Sequence, residues 1–159
     1  MTLMNGDRFP DLSVQVVDGP PSTVAELVEG CWAVVLFYRD EQCPKCQAYF
    51  DRVAAVREQV ARDSLQVIAI SADTESGARA TRDQHGLWFP VVHSAPLSWG
   101  EDLGLYTNPD RGCFEPGFFV LDPDLRVVHV SVQSGPAARP AIEELLVIAA
   151  NSRAAAAAS

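Results

Sequence analysis

The chain of 159 residues is 48% hydrophobic and 21% charged, which fits one globular domain with its own core and excludes a disordered, collagenous or coiled-coil protein. Its 12 basic and 21 acidic residues leave a formal net charge of −9, so nucleic acid and anionic membranes are excluded as default partners, no basic patch being visible that would reverse the field. Four cysteines, Cys31, Cys43, Cys46 and Cys113, are too few for a disulfide scaffold.

Taken in chain order, the turn-rich Gly6-Asp7-Arg8-Phe9-Pro10 leads to a short strand over Ser13–Val17. Ser22 or Thr23 caps a brief helical turn that Gly30 ends. Trp32–Tyr38 is β-branched and aromatic without polar alternation, the pattern of a strand covered on both faces. A helix is predicted from the Cys43-Pro44-Lys45-Cys46 segment to about Asp63, with Phe50, Val53, Val56 and Val60 on its inner face. Leu65–Ile70 is a second buried strand, followed by a polar helix from Asp73 or Thr74 to His85, stopped by Gly86. Phe89–Val92 is a short strand and Ser98–Tyr106 a short helix. Asp122-Pro123-Asp124 joins Phe118–Leu121 to Arg126–Val130 as a hairpin, and Pro140 opens a last helix through Ile148. Residues 1–153 read as a single domain and 154–159 as a frayed alanine-rich tail. Alternating strands and helices with a late hairpin predict an α/β protein with a central mixed sheet.

The strongest chemical signal is Cys43-Pro44-Lys45-Cys46 at the junction of a buried strand and a helix. Side chains at i and i+3 share one face of a helical turn, which brings two sulfurs within reach of a disulfide. Pro44 suits the first helical position, placing Cys43 at the N-cap, exposed above the positive helix end, with Lys45 adding charge nearby; both lower a thiol pKa. Cys46, one turn deeper, is placed to resolve a mixed disulfide. Structural zinc requires four ligands, commonly in two close pairs, yet Cys31 and Cys113 are isolated and His85, His93 and His129 form no second pair. The sequence calls for no cofactor and no metal. Two core cysteines spaced by chance, or an inactive redox module, are the bland alternatives.

Phe37–Cys46, with Gly6–Leu12, Phe89-Pro90-Val91-Val92 and Pro116–Asp122, resembles the redoxin branch of the thioredoxin-like superfamily, including the peroxiredoxin-like alkyl hydroperoxide reductase/thiol-specific antioxidant (AhpC/TSA) proteins. The resemblance covers most of the chain. It implies a thioredoxin-like α/β/α sandwich with peroxiredoxin-like elaboration, and a cis Pro116 packed against the dithiol. It also implies antioxidant oxidoreductase activity. Two features depart from the peroxiredoxin pattern Pro-x-x-x-Thr/Ser-x-x-Cys: Arg39 replaces the proline and Cys43 the threonine, while Cys46 falls on the peroxidatic cysteine. Pro116 occupies the position of the family's catalytic arginine, for which Arg39 or Arg111 would have to substitute.

Two mechanisms follow. In thiol–disulfide exchange, Cys43 attacks a small-molecule or protein disulfide and Cys46 resolves it. In peroxide reduction, Cys46 attacks a hydroperoxide and Cys43 condenses with the sulfenic acid. The proline at 116 favours the first, a thiol–disulfide oxidoreductase. Glu115 is a candidate modulator beside the dithiol and Cys113 a candidate third redox thiol, whereas Cys31 reads as inert. Trp88 and Trp99 are candidate surface aromatics that also suit a core. A thioredoxin-type electron donor and a homodimer are expected from the resemblance. Before Asp7 no basic stretch leads into an apolar one, and no apolar run approaches the roughly 18 residues of a membrane span, so the expected location is cytoplasmic.

Overall fold

The computed structural model describes residues 2–135 and 139–159. Its central sheet has seven strands in the order β2-β1-β5-β4-β3-β8-β9. The innermost are β3 (Ala33–Phe37), β4 (Gln66–Ile70) and β5 (Val91–His93), all parallel, while β8 (Gly117–Leu121) runs antiparallel to β3 and β9 (Val127–Val132) antiparallel to β8. β1 (Ser13–Val16) lies antiparallel to β5, and the two-residue β2 (Ser22–Thr23) closes that edge.

The uninterrupted apolar run in β3 has a direct structural cause: each face of the strand feeds a different core. Val34, Leu36 and Tyr38 face the layer of α2 (Pro44–Ala55), α3 (Arg57–Arg62), α4 (Glu75–His85) and α6 (Ile142–Ala158), packing with Phe50, Val60, Ala78 and Leu145. Ala33, Val35 and Phe37 face the layer of α1 (Val24–Val28) and α5 (Trp99–Leu103), packing with Phe9, Val28, Leu103 and Phe114. The alternation of side chains along a strand turns one sequence run into two cores. Among the described residues, no helix is long and apolar enough to cross a membrane.

Several elements differ from the sequence reading. The long helix after Cys46 breaks at Val56, whose N–H bonds the carbonyl of Val53, three residues back, so α2 ends and α3 starts anew. No proline or glycine marks this break. A small hairpin, β6 (Thr107–Asn108) with β7 (Cys113–Phe114), rises from a segment with no strand pattern. The alanine-rich end is helical, α6 running to Ala158 with its last residues exposed. Alanine is the best helix former, and Arg153 ties this helix to the end of α3 by donating to the carbonyl of Asp63 at 2.6 Å. Pro116 is also corrected, since the described chain has no cis peptide bond. It enters β8 as a buried trans residue whose carbonyl accepts from Gln133 at 2.9 Å. The hairpin turn stands as read: Leu125 N–H reaches the Asp122 carbonyl at 3.0 Å, and the Asp122 carboxylate accepts the N–H groups of Asp124 and Arg126.

Phe119 is fully buried in β8 and meets Phe9 and Phe37 edge-on, at 5.2 and 6.0 Å between ring centroids. Phe119→Ala should lower unfolding free energy by about 3–5 kcal/mol in a denaturant titration; a loss below ~1 kcal/mol would show that this layer does not carry the core.

Candidate active site

β3 ends at Phe37, and residues 38–42 turn the chain into α2 with Cys43 at its N-cap and Pro44 in the first helical position. The Cys43 sulfur accepts the backbone N–H of Cys46 at 3.3 Å, so the thiol caps the helix as a serine oxygen would. Contrary to the expected exposure, Cys43 is only 1% exposed and Cys46 is fully buried. Both sulfurs lie in the core layer that contains Tyr49, Phe50 and Phe118. Lys45 is exposed, and the cation on the sulfurs is another residue.

That cation is Arg139, from the segment entering α6. Its Nη2 donates to the Cys46 sulfur at 3.0 Å and lies 3.7 Å from the Cys43 sulfur, while its guanidinium sits 5.9 Å from the centre of the Tyr49 ring. Sequence reasoning passed over Arg139 because it is 93 positions from Cys46 and belongs to no local pattern. Its place just before Pro140 and the last helix was the one available hint.

The two sulfurs titrate as a unit. The Cys43 thiol is pulled down to about 5, first by the hydrogen bond from the Cys46 thiol; burial opposes this, and the Cys46 backbone N–H and Arg139 add to it. Cys46 is pushed well above the usual thiol range, first because it donates that bond and then by burial, against the pull of Arg139 and the Arg39 backbone N–H. Physically, one proton is held between two sulfurs under a guanidinium, and the first negative charge belongs to the pair.

The loop beneath the pair is held by charges that cross. Asp40 accepts Arg111 through both oxygens, at 2.7 and 2.8 Å, and its carbonyl accepts the Cys43 N–H at 3.3 Å. Arg111 holds the Asp40 carboxyl below the ordinary carboxylate range. Neighbouring Arg39 reaches Glu115, with Nε and Oε1 3.6 Å apart. Residues 39 and 40, one positive and one negative, thus pair with 115 and 111 on either side of β7. Glu41 N–H is taken by Asp73 at 3.0 Å, and Gln47 donates back to the carbonyls of Asp40 and Glu41. His85 bridges Gln47 and Asp51.

The side chains of Arg39 and Arg111 are therefore committed to carboxylates, and Arg139 serves the sulfurs. Glu115 and Cys113 are both buried. Cys31 is partly exposed, and its sulfur donates weakly to the Glu29 carbonyl at 3.7 Å. Trp88 and Trp99 are partly buried and pack against opposite cores. Among the described residues, no group of three or more His, Cys, Asp or Glu side chains is placed to hold a metal ion.

A family model described as the AhpC/TSA family matches residues 5–130. The peroxidoxin BcpB of Mycobacterium tuberculosis superposes with a TM-score of 0.81 at 17% identity, covering 94% of this chain and 97% of that chain. Enterococcus faecalis AhpC gives 0.80 at 17% identity, covering 100% and 98%. Mycobacterium tuberculosis AhpC gives 0.78 at 22% identity, covering 96% and 94%. No curated protein matches the chain by sequence. At these identities the superpositions speak for the fold, which is thioredoxin-like with a mixed central sheet.

Because one proton leaves the pair at low pH, alkylation of the dithiol should rise as pH climbs through about 5 and fall away below it. Arg139→Met removes an opposite charge within 4 Å and should move that midpoint upward by about 1–3 pH units. Ultraviolet thiolate absorbance against pH reads it directly; an unmoved midpoint would remove Arg139 from the account.

Proposed function

Because the chain belongs to the AhpC/TSA family, we propose that it is a thiol peroxidase that reduces hydroperoxides with Cys46 as the attacking sulfur and Cys43 as the resolving one. The observation that carries this reading is the Arg139 guanidinium 3.0 Å from the Cys46 sulfur. The proline at position 116 argued against peroxide chemistry by removing an activating cation. Arg139 answers that objection from a different part of the chain.

The steps balance without a cofactor. Shifting the shared proton to Cys43 places the thiolate on Cys46, under Arg139 and the Arg39 N–H. The sulfur attacks the nearer peroxide oxygen, the O–O bond breaks, and the departing alkoxide or hydroxide takes the proton from Cys43. Cys46 is then a sulfenic acid, oxidised by two electrons. The Cys43 thiolate attacks that sulfur and expels hydroxide, which is protonated to water, leaving a Cys43–Cys46 disulfide. Arg139 stabilises negative charge at the start and as it passes to the leaving oxygen. An external dithiol must return the enzyme to the reduced state, and a thioredoxin-type donor in a reducing cytoplasm fits that need.

Thiol–disulfide exchange initiated by Cys43 is the second reading, favoured by the depressed pKa of that thiol. Burial counts against it. With Cys43 1% exposed and Cys46 fully buried, a hydroperoxide, being small, needs less movement of the surrounding chain to reach the pair than a protein disulfide does; the protein donor that later reduces the disulfide needs the wider opening.

Serine variants separate the two. Cys46→Ser should abolish hydrogen peroxide consumption, a loss of at least about 10³-fold. Cys43→Ser should retain one turnover and accumulate a sulfenic acid that dimedone traps on Cys46. Trapping on Cys43 in the Cys46→Ser protein, with undiminished peroxide consumption, would reverse the assignment.

A further inference from the structure

His85 is a buried polar group that the redox chemistry leaves unused. Its side chain is 2% exposed, and it is the last residue of α4, where Gly86 turns the chain left-handed at φ 60° and closes the helix. A ring buried at that point needs partners for its nitrogens. α2 supplies them. Gln47, Phe50 and Asp51 stand at i, i+3 and i+4 on that helix and so share one face. The imidazole lies across this face. Its Nδ1 is 2.7 Å from an Asp51 oxygen, its Nε2 meets the Gln47 amide oxygen, and its centroid is 6.0 Å from that of the Phe50 ring. Arg82 and Asp83, its neighbours on α4, are engaged with each other and, through Arg82, with Asp18.

The orientation of the Gln47 amide is set by what lies on its other side. Its Nε2 is 3.2 Å from the Glu41 carbonyl and 3.4 Å from the Asp40 carbonyl. Backbone carbonyls only accept, so the amide nitrogen faces them and the amide oxygen faces His85, whose Nε2 donates to it. The Asp40 carbonyl also accepts the Cys43 N–H at 3.3 Å, and the Gln47 N–H donates to the Cys43 carbonyl at 3.1 Å. Cys43 is thus gripped at both backbone groups, by residue 40 on one side and residue 47 on the other, and the Gln47 side chain ties the two holders together. From this backbone the Cys43 sulfur accepts the Cys46 N–H at 3.3 Å. An amide turned over would set its oxygen against two carbonyl oxygens, and the imidazole is what holds it the right way.

We propose that His85 is a positioning residue of the dithiol: by holding the Gln47 amide oxygen it keeps the amide nitrogen on the Asp40 and Glu41 carbonyls, and so fixes the backbone from which Cys43 caps its helix. The hydrogen bonds of His85 go to Gln47 and Asp51, neither of them a sulfur, so its effect passes through the amide. With the amide released, the grip on Cys43 slackens, its sulfur loses part of the Cys46 N–H, and a thiolate deprived of a donor forms less readily. The consequence for peroxide turnover rests on the peroxidase reading; the consequence for the thiolate does not.

The test is thiolate absorbance against pH in the full chain. Gln47→Met removes the amide, and His85→Phe keeps a ring against Phe50 but cannot donate. Each should raise the midpoint by about half a pH unit or more, a three-fold change in thiolate fraction. The double variant should rise no further than Gln47→Met alone, because His85 acts through that amide. An unmoved midpoint in either folded single variant overturns the proposal, and so does a double variant whose rise is the sum of the two. Amide hydrogen exchange separates positioning from general loosening: it should quicken at Cys43 while the β3 amides keep their wild-type protection, and equal acceleration at both overturns the proposal. Should His85→Phe fail to fold, Asp51→Ala decides, since it frees the ring at a position that is 73% exposed. Losing a carboxylate by itself would ease thiolate formation, so a raised midpoint supports the proposal and an unmoved or lowered one overturns it. Hydrogen peroxide consumption is measured alongside. A wild-type protein that consumes none defeats the peroxidase reading while leaving the midpoint comparison intact.

Discussion

Everything at the candidate site follows from placing two sulfurs out of water. A thiolate in a core is costly unless opposite charge and hydrogen-bond donors reach it. Here the donors are the N–H of Cys46 at the helix start, the Arg39 N–H, and the Arg139 guanidinium brought in by the last helix. The sheet exists around this requirement. β3 must end at Phe37 for the loop to turn under the dithiol, and α6 must pack on the same layer for its entering segment to arrive at the sulfurs. Removing water strengthens each of these interactions, so a single guanidinium has more effect here than it would on the surface.

The crossed pairs Asp40–Arg111 and Arg39–Glu115 give the loop its rigidity. They act on backbone groups as well as charges, because residues 39 and 40 supply an N–H to one cysteine and a carbonyl to the other. The two halves of this clamp differ. The outer pair is bidentate and partly wet, the geometry in which arginine and carboxylate bind best. The inner pair is nearly dry and incompletely bonded.

Much of this was legible in the sequence, for reasons that are local. The apolar run of β3, the turn around Pro123 and the N-cap position of Cys43 depend on near neighbours, and each stands where its residues predicted. Arg139 was not legible, because a contact spanning 93 positions leaves no periodicity. Neither was the burial of Cys43. A helix N-terminus is usually wet, and here it is enclosed in a core layer that joins Tyr49 of the same helix to Phe118 of the distant β8. The break at Val56 carries no glycine or proline to announce it. The alanine tail offered composition without partners, and the bond from Arg153 that ties α6 to the end of α3 joins positions 90 apart.

The spacing of the two cysteines has one more consequence. Both sulfurs belong to the first turn of a single helix, already joined through a hydrogen bond. Closing a disulfide between them needs neither an unwound helix nor a thiol from another chain. Resolution of an oxidised sulfur is then a unimolecular event, with no translational entropy to lose and no dependence on how crowded the protein is. Such a catalyst would complete its half-cycle as readily at vanishing dilution as in a packed cell, leaving only its recharging by an external reductant sensitive to concentration.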